Sequence, residues 1–153
     1  MSADFTRDGT AVVTAGQDGS AIVWRLQDLT RLTLMRASSG LVSAIFHHSQ
    51  AHVLTLAVDR QISYWGMPDG GEIRHIPADR QGQVTCLDLS QDGRFIATGT
   101  DGSVVRVMRY REGDVVRLGM ARCGPITAVK FGPNGHRILA ATEFGATVVW
   151  NMD

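Results

Sequence analysis

Gly16-Gln17-Asp18-Gly19-Ser20-Ala21-Ile22-Val23-Trp24 decides the fold, because the chain repeats it. Ala57-Val58-Asp59-Arg60-Gln61-Ile62-Ser63-Tyr64-Trp65 is a second copy and Gly99-Thr100-Asp101-Gly102-Ser103-Val104-Val105-Arg106-Val107 a third. Thr142-Glu143-Phe144-Gly145-Ala146-Thr147-Val148-Val149-Trp150 is a weaker fourth. Each copy joins a tight turn to a short apolar strand. Asp-Gly supplies the positive φ that such turns need, and the strand is rich in β-branched residues. The closing positions 24, 65, 107 and 150 stand 41, 42 and 43 residues apart.

Upstream of the turns lies a second repeating feature. Val84-Thr85-Cys86-Leu87-Asp88-Leu89 leads into Ser90-Gln91-Asp92-Gly93, and Ile126-Thr127-Ala128-Val129-Lys130-Phe131 leads into Gly132-Pro133-Asn134-Gly135. Alternation of this kind marks a half-buried strand ending in a hairpin. A short apolar strand such as Phe95-Ile96-Ala97-Thr98 follows. Downstream, Asp69-Gly70-Gly71 and Glu112-Gly113-Asp114 turn the chain into a fourth strand, predicted over Glu72 to Pro77 and Val115 to Met120. No amphipathic helix of useful length is visible. Four antiparallel strands repeating every 40-odd residues read as an all-β chain of β-propeller blades.

Blades are predicted over about 1–39, 40–81, 82–123 and 124–153 of one partial propeller, 1–153. Ala3-Asp4-Phe5 matches only the end of an opening strand before the turn Thr6-Arg7-Asp8-Gly9, and Asn151-Met152-Asp153 follows a third strand directly. The expectation is about three and a half four-stranded blades, incomplete at both ends and part of a larger propeller. An open arc of blades would expose raw sheet edges and apolar surface, so an oligomeric or poorly soluble chain is expected.

The chain resembles the WD-repeat family. Asp18, Asp59 and Asp101 stand six residues before the tryptophan-type position, and Thr14 and Thr55 four residues before their Asp. In that family such an Asp binds its turn and joins a polar network with Ser or Thr and Trp. The resemblance therefore implies the networks Asp18-Thr14-Trp24 and Asp59-Thr55-Trp65, with Trp150 closing the last copy. Departures are plain. The Gly-His dipeptide that opens a family repeat is Gly40-Leu41, Gly82-Gln83 and Gly124-Pro125 here, Phe144 replaces the fourth Asp, and Val107 replaces the third Trp.

Nearly the whole chain also resembles the cilia- and flagella-associated WD-repeat proteins found among the microtubule inner proteins. Asp59-Arg60-Gln61-Ile62-Ser63-Tyr64-Trp65 followed by Asp69-Gly70, Tyr110-Arg111-Glu112-Gly113-Asp114-Val115, and the ending Gly145 to Trp150 carry that likeness. It implies about half of a second, seven-bladed propeller. It also implies an architectural role in the lumen of axonemal doublet microtubules, with tubulin and other inner proteins as partners. The missing blades would come from the same or another chain. A generic WD scaffold or adaptor subunit of a soluble cytosolic complex is the rival reading.

Charge and composition narrow the classes. Fifteen basic residues balance fifteen acidic ones, which argues against a nucleic-acid partner. There is no signal peptide and no apolar run of membrane-spanning length, so a cytoplasmic location without membrane contact is expected. Cys86 and Cys123 lack metal spacing and read as buried free thiols of a reducing compartment. His47, His48 and His52 sit on a hairpin turn where side chains are expected to point apart, so no metal is assigned. The glycine-rich turns precede no helix and are not phosphate loops. No nucleophile motif appears, hence no enzyme and no cofactor is expected. Arg106, Arg109, Arg111, Arg117 and Arg122 concentrate positive charge in the third repeat, with Arg106, Arg109 and Arg111 the candidates for an acidic partner.

Overall fold

Turns of the Asp-Gly and Asn-Gly kind reverse the chain tightly, so each apolar run pairs with the one before it. The computed structural model describes residues 2–76 and 82–152, and every regular element in them is a strand. The first blade holds β1 (Ser2–Phe5), β2 (Ala11–Ala15), β3 (Ser20–Arg25) and β4 (Arg31–Arg36). The second holds β5 (Leu41–Phe46), β6 (His52–Ala57), β7 (Ile62–Gly66) and β8 (Glu72–Ile76). The third holds β9 (Val84–Leu89), β10 (Phe95–Thr100), β11 (Val104–Arg109) and β12 (Val115–Met120). The last holds β13 (Ile126–Phe131), β14 (Arg137–Thr142) and β15 (Thr147–Asn151).

Each sheet is an antiparallel meander in chain order. The short opening strand β1 pairs with β2 through all four of its residues, so the first sheet has four strands. The last sheet has three among the described residues. Pro77, predicted to end β8, and the expected boundary residue Gln81 lie outside the described residues.

The chain forms two compact units, Met1–Ala78 and Asp79–Asp153, with two blades in each. In the first unit Val13, Ala15, Val23 and Met35 from one blade cluster with Leu41, Ala44, Val53 and Trp65 from the next. In the second, Ala97, Val105 and Val107 cluster with Ile126, Val129, Ile138 and Ala140, and Trp150 packs against them. Full burial of one such aliphatic side chain contributes about 1.5–3 kcal/mol, so face-to-face blade packing carries most of each unit's stability.

Neighbouring blades are also tied by a strut that the sequence reading did not foresee. Asp4 Oδ2 accepts the Phe46 main-chain N–H at 2.9 Å. At the equivalent place in the second unit, Asp88 Oδ2 accepts the Phe131 N–H at 2.8 Å, and its Oδ1 accepts Lys130 Nζ at 2.6 Å. Both reach from the first strand of one blade to the first strand of the next. An isolated Asp in a strand carries no sequence signal for this role.

Pairing register corrects the alignment of the third repeat. Trp24 lies opposite Val12, Trp65 opposite Val53 and Trp150 opposite Ile138, and the residue opposite Ile96 is Met108. Met108, not Val107, therefore holds the tryptophan position. The left-handed turn residues agree: Gly19, Arg60, Ser103 and Gly145 all have positive φ and each stands five residues before that position. Asp101 consequently sits one place earlier than Asp18 and Asp59. Its N–H donates to Gln83 O and its Oδ1 accepts Gln83 N–H at 2.7 Å, so it holds the link before β9. The Asp-Gly match by eye slips by one residue because turn geometry, not residue type, sets the phase.

The β1–β2 turn offers a pH test. Asp8 is held at about 2, below its usual 3.8, by the Thr10 N–H and then the Thr6 and Thr10 hydroxyls. Because the folded value is the lower one, the stabilisation is complete above the unfolded value and is lost as pH falls through about 2. Carboxyl-carbon NMR should place the Asp8 midpoint near pH 2; a midpoint near 3.8 would mean the turn bonds do not form in solution.

Candidate interaction surface

The tryptophan and aspartate halves of the expected networks separate. Trp24 Nε1–H donates to Thr14 Oγ1 at 3.2 Å and Trp65 Nε1–H to Thr55 Oγ1 at 2.8 Å, each across one hairpin. Both aspartates serve their own turns instead. Asp18 Oδ1 accepts the Ser20 hydroxyl at 2.6 Å and the Ser20 N–H at 3.0 Å, which lowers its pKa. Asp59 accepts the Gln61 N–H at 3.1 Å and the Ser38 hydroxyl at 3.0 Å, tying the link before β5 to the second blade's turn. Trp150 has Ala140 where the other two have threonine, and its indole lies on Gly119, where a Cβ would stand 2.9 Å from the ring. These groups set blade geometry and do not form a ligand site.

Arg106 does not belong to an exposed basic band, for it is 3% exposed within β11. Both faces of β11 are covered, so Val104 to Met108 are all buried and Arg106 with them. Arg109 is half-exposed and paired to Asp114 at 2.9 Å. Arg111, Arg117 and Arg122 lie at the surface. The band is thus Arg109, Arg111, Arg117 and Arg122, partly neutralised from within. Exposed pairs of this kind contribute little to stability and are screened by salt.

The three histidines come closer than the sequence suggests. His47 and His52 are edge-to-face at 5.9 Å between ring centres, and His47 and His48 are 6.3 Å apart. A hairpin places the residue entering the turn opposite the one leaving it, and His47 N–H donates to His52 O. His47 Nδ1 lies 2.8 Å from Ser49 Oγ and 3.1 Å from Ser49 N, so this ring closes its own turn. Among the described residues no group of three or more His, Cys, Asp or Glu is arranged to hold a metal. Cys123 is exposed rather than buried, because it lies in the link between β12 and β13 and not in a strand. Cys86 is half-buried and its thiol pKa is raised by that burial. No helix among the described residues is long and apolar enough to cross a membrane.

What the surface does offer is shape and apolar contact. Phe144 is 77% exposed at its turn, resting on Gly124 where a side chain would collide with the ring. Leu139 and Val149 are exposed on the last blade. Rigid strand faces and turns of this kind bind other proteins with little ordering cost.

Comparison with known proteins gives the same architecture. Residues 1–25 and 70–106 match the family described as WD domain, G-beta repeat. Human cilia- and flagella-associated protein 52 is 31% identical over 144 residues, covering 94% of this chain and 23% of that protein. The protein of the same name from Chlamydomonas reinhardtii is 32% identical over 143 residues, with the same coverage of 94% and 23%. Transcription initiation factor TFIID subunit 5 of Caenorhabditis elegans is 26% identical over 152 residues, 99% of this chain and 23% of that one. The chain thus spans less than a quarter of the length of these relatives. The crystal structure of the Cps50 (Swd1) β-propeller domain of Myceliophteria thermophila superposes with a TM-score of 0.81 at 17% identity, covering 92% of this chain and 48% of that one. Strand order, turn register and these matches together show β-propeller blades with WD-type repeats matched at residues 1–25 and 70–106, the described residues forming three four-stranded blades and one of three strands.

Proposed function

We propose that the chain is a structural, non-catalytic component of the ciliary or flagellar axoneme, acting as a microtubule inner protein. In this reading it binds tubulin and neighbouring inner proteins in the doublet lumen, and its remaining blades come from the same or another polypeptide. The observation that carries it is similarity to cilia- and flagella-associated protein 52 of two distant organisms over 94% of the chain. Support comes from the Asp59-to-Trp65 run. Arg60 occupies a left-handed position that glycine fills in the first and last repeats, Tyr64 is buried, and the Arg74 guanidinium lies 4.2 Å over the Tyr64 ring. These departures from the common repeat make the likeness narrower than a generic WD match. The alternative is a scaffold or adaptor subunit of a soluble complex, which the similarity to a subunit of a transcription initiation factor favours.

Salt extraction separates the two. High salt screens charge-held surface proteins, whereas a luminal protein is retained by enclosure and by apolar contact. When isolated axonemes are washed in high salt, mass spectrometry should find this chain with the doublets. Complete release into the wash would remove the luminal reading and leave the soluble adaptor.

A further inference from the structure

β12 is the outermost strand of the third blade, and no other described strand pairs with its outer edge. Ala121 N–H donates to Ser103 O, continuing the ladder in which Gly119 lies opposite Val105. Successive residues of an antiparallel strand turn their N–H and C=O to opposite sides. Those of Leu118 and Met120 therefore point away from β11. Val116, Leu118 and Met120 also set apolar side chains along one face of this edge, 38%, 58% and 63% exposed. Edge strands are commonly protected by charge, because a row of unpaired main-chain groups recruits other strands. The other two outer strands have that protection. β4 begins and ends in arginine, so pairing with its own copy about its middle sets Arg31 against Arg36. β8 has Arg74 at its centre, which the same operation sets against itself. Like charges directly opposite destabilise a ladder.

We propose that β12 is a self-association edge, pairing antiparallel with β12 of a second copy about a twofold axis at Leu118. The strand is complementary to its own reverse. Leu118 then faces Leu118, exchanging outward N–H and C=O, and Val116 faces Met120. Arg117 faces Gly119, which opposes it with neither a charge nor a side chain. An axis at residue 117 would set Arg117 against itself instead. Charge closes both ends, because the Leu118 register brings Asp114 to Arg122. Asp114 gives only its Oδ2 to Arg109, and Arg122 has no ion pair among the described residues. The contact is isologous, closes at two copies, and joins two four-stranded sheets into one. This inference stands apart from the axonemal reading and is tested on the purified 153-residue chain.

Sedimentation velocity over a wide range of concentration should show a dimer. Leu118→Lys and Leu118→Glu should each weaken it by at least about tenfold, since each sets like charges on the axis. The far-ultraviolet β signature should not change, because Leu118 is exposed. Mixing the two variants puts opposite charges on the axis and should restore a dimer holding one copy of each. Asp114→Arg alone and Arg122→Asp alone should also weaken the dimer, whereas both exchanges in one chain should recover it. A chain that is monomeric at every concentration overturns the proposal. Association indifferent to the Leu118 substitutions runs through another surface and overturns it too, as does a mixture that fails to recover.

Discussion

Trp65→Ala should lower the stability of the first unit by about 3–5 kcal/mol, the cost of removing a large buried aromatic and leaving its cavity. Trp65 is 4% exposed, packs among residues of both blades, and donates the 2.8 Å bond to a Thr55 hydroxyl that is itself buried. Asp59→Ala is the internal contrast. That carboxylate bonds only exposed partners in its turn and the preceding link, so its loss should cost about 1 kcal/mol or less. Denaturant melts of the two variants measure both. Equal losses would mean that Asp59, Thr55 and Trp65 act as one network in solution after all.

Gly99→Val should be the most damaging small change in the second unit. Gly99 is buried in β10, and a Cβ there would overlap Ile126 Cγ2 and stand 2.8 Å from Cys86 Sγ. Ile126 is fully buried and belongs to the first strand of the adjoining blade. The added bulk must therefore push two sheets apart, at a cost of about 1–3 kcal/mol. The equivalent residues in the other three blades, Ala15, Leu56 and Ala141, all carry a Cβ, so the close approach that requires glycine is particular to the third blade. A melting midpoint within experimental error of the parent would show that the blades can slide at this seam.

Much of this was legible in the chain alone, for definable reasons. Hairpins announce themselves through alternation and through turn residues, and the Trp–Thr spacing of ten residues is a local signal. The fourth strand Val115–Met120 was readable for the same reason. Signals that depend on who lies opposite were not. Met108 hides behind an Asp-Gly that looks like the earlier ones but sits one residue out of phase. Ser103 adopts the left-handed turn conformation without being glycine. Arg106 looks like surface charge until the sheet around it is known, and the histidines converge only because a hairpin closes between them. The Asp4 and Asp88 struts join residues about 42 positions apart, beyond any local pattern.

Those struts also bear on how much sequence variation such a pair of blades can accept. Each aspartate grips a main-chain N–H, a group that every incoming blade presents whatever its side chain at that position. The main-chain half of each strut therefore does not depend on which side chain stands at position 46 or 131, so those side chains can change without breaking it. That leaves blade spacing set by the backbone, compatible with repeats as unlike in side chains as these four.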